Sequence, residues 1–169
     1  MPFPLPFIPK LSYKIGGRKF GAPRDHGRRH AGCDLIAPEG TPIFAVADGT
    51  VLEATRQEFY HGTLALVIRH VGFVARYCEI KGFGKGIVRG ATVRAGDLVA
   101  YVGKMLTTSM LHFEVYAGTL HGELPVRHNK PFQRRADIID PTALLERLAN
   151  HVLESHESVE PITSAGVVR

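Results

Sequence analysis

Short runs rich in Val, Ile, Phe and Tyr alternate along the chain with glycine-centred turns. Ile43 to Ala47, Thr50 to Ala54, Leu64 to Val71, Phe73 to Ile80, Leu98 to Val102 and Leu111 to Tyr116 have the β-branched, aromatic character of strands. Between them stand turn signals such as Asp48-Gly49, His61-Gly62, Val71-Gly72, Gly82 to Gly86 and Ala95-Gly96-Asp97. Six such runs within about 75 residues leave no room for crossover helices. The pattern predicts an all-β protein, mainly antiparallel, with a sandwich or barrel-like core. Near the end, Asp140-Pro141 offers an N-cap followed by proline at the first helical position. Leu144, Leu145, Leu148 and Val152 then recur at helical spacing, predicting one C-terminal helix over 141–154. The expected organisation is an N-terminal arm and basic loop over 1–29, a β domain over 30–140, that helix, and a flexible tail over 155–169.

Composition narrows the class. At 169 residues the chain suits one domain, and 44% hydrophobic with 22% charged residues is ordinary for a globular protein. No stretch reaches the roughly 20 apolar residues of a membrane helix. The net charge of +5 and pI of about 9.4 favour polyanionic partners such as nucleic acid, anionic lipid or anionic cell wall. Nucleic acid is not expected, because charge alone supports it and no reading motif accompanies it. The opening MPFPLPFIPK has neither a leading basic cluster nor a small-residue cleavage site, so it is read as an ordered extended arm rather than a signal peptide.

Candidate chemistry concentrates at two places. His30-Ala31-Gly32-Cys33-Asp34 sets a histidine and an aspartate four apart. On the strand Leu111 to Val115, alternation sends Leu111, Phe113 and Val115 one way and His112, Glu114 and Tyr116 the other. Two histidines and a carboxylate with a position left for water make a catalytic-type zinc site. Cys33 and Cys78 each precede a site residue, so regular alternation would point both away from a metal; they read as buried thiols.

The stretch from Phe20 to Tyr116 resembles the lysostaphin-type (LytM-like) zinc metallopeptidases that cut peptidoglycan cross-links. The family's His-x-Gly-x-Asp is similar to His30-Ala31-Gly32-Cys33-Asp34. Further landmarks follow in order: Ala37 to Pro42, Ala45 to Val51, Ile68-Arg69-His70-Val71-Gly72, Val93 to Asp97, Gly103, Leu111-His112-Phe113-Glu114 and Asp140-Pro141. The resemblance implies the duplicated hybrid motif type of antiparallel fold, with Zn²⁺ on His30, Asp34 and His112. Two positions depart from the family. Its catalytic histidine two residues before the last ligand is Met110 here, and its other non-ligand histidine, after Tyr-x, is Glu79 in Tyr77-Cys78-Glu79.

Glu79 can act as general base, as a fourth ligand that closes the site, or as a rim partner for an arginine. Met110 cannot donate a hydrogen bond; His61, His121 or His128 would have to fold into the cleft to replace the lost donor. Glu114 reads as an orienting partner of His112 or as a solvated strand charge. Tyr77 is placed by alternation on the face of Glu79, where it orients substrate or packs in the core. Arg24, Arg28 and Arg29 receive substrate carboxylates or form a solvated basic face. The implied activity is zinc-dependent hydrolysis of peptide cross-links in the bacterial wall. The alternative is a degenerate zinc-binding domain that binds or regulates the wall. The expected partner is peptidoglycan or its stem peptides, reached in the periplasm or outside the cell through a phage particle or a secretion machine.

Overall fold

A computed structural model describes residues 1–157. It contains nine strands, β1 (Cys33–Ile36), β2 (Pro42–Phe44), β3 (Gly49–Ala54), β4 (Leu64–His70), β5 (Phe73–Phe83), β6 (Thr92–Val93), β7 (Leu98–Met105), β8 (Thr108–Tyr116) and β9 (Ile138–Ile139), and one helix, α1 (Thr142–Glu157). Every strand pairing is antiparallel, so the predicted all-β class with a single C-terminal helix holds. The tail expected from 155 onward lies, from residue 158, outside the described residues. β1, β6 and β9 carry two to four residues each, too few to show periodicity, and they were not predicted.

The strands form one sheet in the order β1-β8-β7-β5-β4-β3-β6, with β5 also paired directly to β8. Residues Val74 to Cys78 of β5 pair with β8, opposite Tyr116 to His112. From Ile80 onward the same edge pairs with β7, opposite Val102 to Ala100. The β7–β8 hairpin is paired to itself between Gly103 and Met110, so three strands meet where β5 changes partner. Glu79 is the residue at that hand-over. On the other edge Leu64 faces Ile80 while Ala65 faces Cys78, which leaves Glu79 as the extra residue of a β-bulge, with φ 63°. Gly103 makes the close junction feasible, since a Cβ there would stand 2.7 Å from the Glu79 carbonyl oxygen.

One face of the sheet is apolar. Leu35, Tyr77, Leu111 and Phe113 lie in a buried cluster with Phe3 and Leu5 of the arm and Leu145 and Leu148 of α1. The helix begins as its sequence directs: Asp140 Oδ1 accepts from the Thr142 N–H at 2.8 Å, and Pro141 supplies the first helical carbonyl to Leu145.

Far from the cleft, His70 closes the β4 end. Its Nδ1–H donates to the Asp48 carbonyl at 3.0 Å and its ring lies on Phe73, while Nε2 is buried without a partner. Burial depresses its pKa below the ordinary imidazole value, although backbone carbonyls at Asp48 and Ala47 pull the other way. The unfolded chain therefore takes up a proton first as pH falls below about 6.5, and stability present above that value is lost in acid. His70→Gln, which keeps a donor for Asp48, is expected to lower stability at pH 7.5, and its deficit to shrink between pH 6.5 and 5. Urea denaturation of both proteins across that range checks this; a constant deficit would show that His70 does not titrate on unfolding.

Candidate metal centre

The site assembles at the strand junction. In the β1–β8 ladder Asp34 stands opposite His112 and Cys33 opposite Phe113, so Asp34 and His112 share the polar face while Cys33 joins the core. His30 arrives from the loop before β1, and Gly32 lets that loop lie flat. A Cβ on Gly32 would stand 2.4 Å from the Phe113 carbonyl oxygen and 3.0 Å from Cε1 of His112. The middle glycine of His-x-Gly-x-Asp is thus required by the approach of the first ligand to the last.

His30 Nε2, Asp34 Oδ1 and His112 Nδ1 form a near-equilateral triangle, with edges of 3.0, 3.0 and 2.9 Å. Zinc bonds of about 2.0–2.1 Å in a tetrahedron require ligand separations of roughly 3.3 Å, so the three atoms need only a slight spreading. The tautomers fit as well. His30 Nδ1–H donates to the Lys19 carbonyl at 2.8 Å, which leaves a lone pair on Nε2. His112 Nε2–H donates to Glu114 Oε1 at 3.1 Å, which leaves a lone pair on Nδ1. Three lone pairs converge on one point, and only a cation makes that favourable. Without metal a proton takes that role. Burial disfavours the charged imidazole, but the carboxylates of Asp34 and Glu114 outweigh it and hold His112 up to about 9.

Behind His112 lies a buried charge network. Glu114 is fully enclosed and accepts from His112, from Arg134 Nε at 2.8 Å and from the Tyr116 hydroxyl at 2.6 Å, with Arg76 Nη1 at 3.5 Å. Burial would raise its pKa, but the His112 hydrogen bond and the two guanidinium groups hold it well below the usual carboxylate range. Glu114 therefore orients His112 and is not a solvated strand charge.

Glu79 faces the same cleft, of about 510 Å³, bordered also by Arg24, Met110 and Arg134. Its carboxylate lies outside the three-residue cluster whose ligand atoms fall within 4.8 Å of one another. Oε2 is buried with no partner, and burial raises the pKa to about 7, modulated by His112, Asp34 and Arg24. Arg24 Nη2 stands 3.6 Å from Asp34 Oδ2. Arg28 and Arg29 border the cleft too.

Two open readings are decided and one expectation is corrected. His61, His121 and His128 are exposed and none borders the cleft. Tyr77 is a core residue, its hydroxyl accepting from the Val46 N–H, and does not meet substrate. Cys78 does not point away: it opposes His112 and shares its face, buried beneath the site among charged groups that include Arg76 and Glu114. The bulge at Glu79 is the reason for both, because it breaks the alternation that was assumed to run through residues 77–79. Arg76 and Arg134 went unrecognised as site residues. The register opposite Glu114 places Arg76, but no local signal marks Arg134.

The sequence profile of peptidase family M23 matches residues 28–125. Among characterised proteins, the chain is 34% identical over 90 residues to the DD-carboxypeptidase/endopeptidase Mpg of Neisseria meningitidis, covering 52% of this chain and 20% of that protein. It is 29% identical over 124 residues to the cell division protein DipM of Caulobacter vibrioides, covering 72% and 18%. The chain thus spans about a fifth of the length of these relatives. In fold it is similar to lysostaphin from Staphylococcus simulans, with a TM-score of 0.62 and 20% identity over 93% of this chain and 55% of that one. It is also similar to LytU, with a TM-score of 0.58 and 24% identity over 81% and 90%.

Gly32→Ala is expected to push the His30 loop off β8 and weaken zinc binding about ten- to a hundredfold, and Glu114→Gln to weaken it over the same range by loosening His112. Competition with a chromophoric chelator measures both. Unchanged affinity in Gly32→Ala would mean that the loop relaxes without moving His30.

Proposed function

The chain belongs to peptidase family M23, and from that premise we propose that it is a zinc-dependent peptidoglycan endopeptidase hydrolysing peptide cross-links of the bacterial wall. The observation that carries the reading is the convergence of three lone pairs at His30, Asp34 and His112, with the unpartnered carboxylate of Glu79 in the same cleft. Zinc bound there would supply a Lewis acid and an acidified water.

The remaining steps fall to the chain's own residues. Glu79, with a pKa of about 7 set chiefly by burial, is suited to take a proton from the attacking water and return it to the leaving amine. The left-handed backbone of the bulge turns this side chain out of the core layer and toward the metal ligands. Arg24, 3.6 Å from Asp34, is the cleft cation suited to offset the negative charge that would develop on the substrate oxygen. Met110 offers that oxygen nothing. Loss of one such donor costs about 10²–10³ in rate, which sets the expected handicap of this chain.

Met110 also supports a second reading, in which the domain keeps fold and metal but binds or regulates the wall without turnover. Digestion of purified sacculi by the zinc-loaded protein separates the two. Release of muropeptides by wild type, reduced about 10²-fold or more in Glu79→Gln with zinc content unchanged, supports the endopeptidase. Sacculus binding without release supports the binding module. Met110→His restores a donor beside the site and is expected to raise turnover by about tenfold or more. A variant that binds zinc but hydrolyses no faster would show that Arg24 already covers that role.

A further inference from the structure

Beside the zinc cleft lies a second cleft of about 500 Å³, and Phe59 and Arg134 border both. Arg76 lines this second space, its guanidinium carbon 4.8 Å from the centre of the Phe59 ring. Only 6% of Arg76 is exposed, yet Nε and Nη1 make no hydrogen bond. Among the described residues its one ion pair is with Glu114, 3.5 Å from Nη1, and Glu114 is already engaged by His112, Arg134 and Tyr116. Nε and Nη1 are enclosed, so the positive charge of Arg76 is under-compensated from within the protein and is felt in the cleft that Arg76 lines. Arg127 adds a third cation to the wall, while the exposed Glu53, Glu58 and Glu123 supply the opposite charge. Positive charge thus sits buried beside a wall that also carries negative charge.

We propose that this second cleft is a subsite for a zwitterionic branch of the substrate: an amino-acid unit whose free carboxylate is held among Arg76, Arg127 and Arg134 and whose free ammonium meets the glutamates. A simple anion would be repelled by the three carboxylates, and a simple cation by the arginines; a group carrying both charges a few ångströms apart satisfies each. The shared border at Phe59 and Arg134 joins the branch to the peptide lying in the zinc cleft. The proposal rests on the endopeptidase reading for the identity of the main-chain substrate, but not for the charge pattern of the subsite.

Two measurements test it on the full, zinc-loaded chain. In the first, alanylalanine, its N-acetyl form and its C-terminal amide are titrated against ¹⁵N-labelled protein. Saturable shifts at the amides of Glu123, Leu124 and Arg127, weakened about tenfold by either block and by Arg127→Gln or Glu123→Gln, are expected. In the second, cross-linked peptides with a free, amidated or acetylated branch beside the scissile bond are hydrolysed. The expected result is a KM about tenfold higher for either blocked branch, with kcat within twofold. Shifts confined to residues 30–34, or equal binding of blocked and free dipeptides, would overturn the subsite. Zwitterion binding without hydrolysis of any peptide would leave the subsite standing and remove the endopeptidase. Hydrolysis indifferent to the branch would do the reverse.

Discussion

Three ligand atoms within 3.0 Å of one another demand a positive charge between them, a proton or a metal ion, and the protein around them is arranged to keep them there. Each histidine is fixed from behind by a hydrogen bond that decides its tautomer: the Lys19 carbonyl for His30, the Glu114 carboxylate for His112. The third member, Asp34, is carried on the neighbouring strand directly opposite His112, so the antiparallel ladder itself sets that spacing. Rigid sheet and close glycine packing together resist the outward relaxation that would separate the lone pairs. The converging set is then held ready for a cation and needs only a slight spreading when one binds.

That readiness has a charge consequence reaching beyond the ligands. Glu114 must stay ionised to hold His112, and full burial would neutralise it were it not for Arg134, Arg76 and the Tyr116 hydroxyl. Two guanidiniums for one carboxylate leave positive charge in excess on the far side of His112. Arg134 touches both clefts, so the group that steadies the metal ligand also borders the space beside the zinc cleft. Arg134 thus links the support of His112, through Glu114, to the border of the second cleft, and a change at Arg134 would act on both at once.

The sequence disclosed the parts whose signal is local. The strand runs, the Asp140-Pro141 cap and the order of landmarks from His30 to Glu114 all rest on neighbouring residues, and the fold and the clustering of His30, Asp34 and His112 agree with them. Where alternation was extended through a bulge it failed. Cys78 and Tyr77 were assigned to the wrong faces because nothing in Tyr77-Cys78-Glu79 announces a positive φ at a glutamate. Arg76 and Arg134 are 58 positions apart in the chain, and their meeting over Glu114 depends on the β5–β8 register and on the path of the segment before β9. Such partnerships are tertiary, and no single-chain pattern of polar and apolar residues encodes them.

The bulge is also where this chain's departure from its family becomes chemically coherent. A glutamate held at φ 63° gives up about 1–3 kcal/mol of backbone preference, so it persists only where its surroundings enforce it. Here the enforcement is the hand-over of β5 from β8 to β7, with Gly103 admitting the Glu79 carbonyl. The hand-over acts on the backbone of position 79 through strand pairing on either side of it. A carboxylate in place of an imidazole keeps the capacity to carry a proton but, once ionised, neither donates a hydrogen bond nor offers the positive charge of an imidazolium. Met110 sits where the β7–β8 hairpin leaves the junction, opposite Gly103, and its thioether retains no such capacity. The two replacements are therefore unequal: a carboxylate at position 79 can still exchange a proton, whereas the Met110 thioether cannot, and the charged donors that border the cleft are arginines.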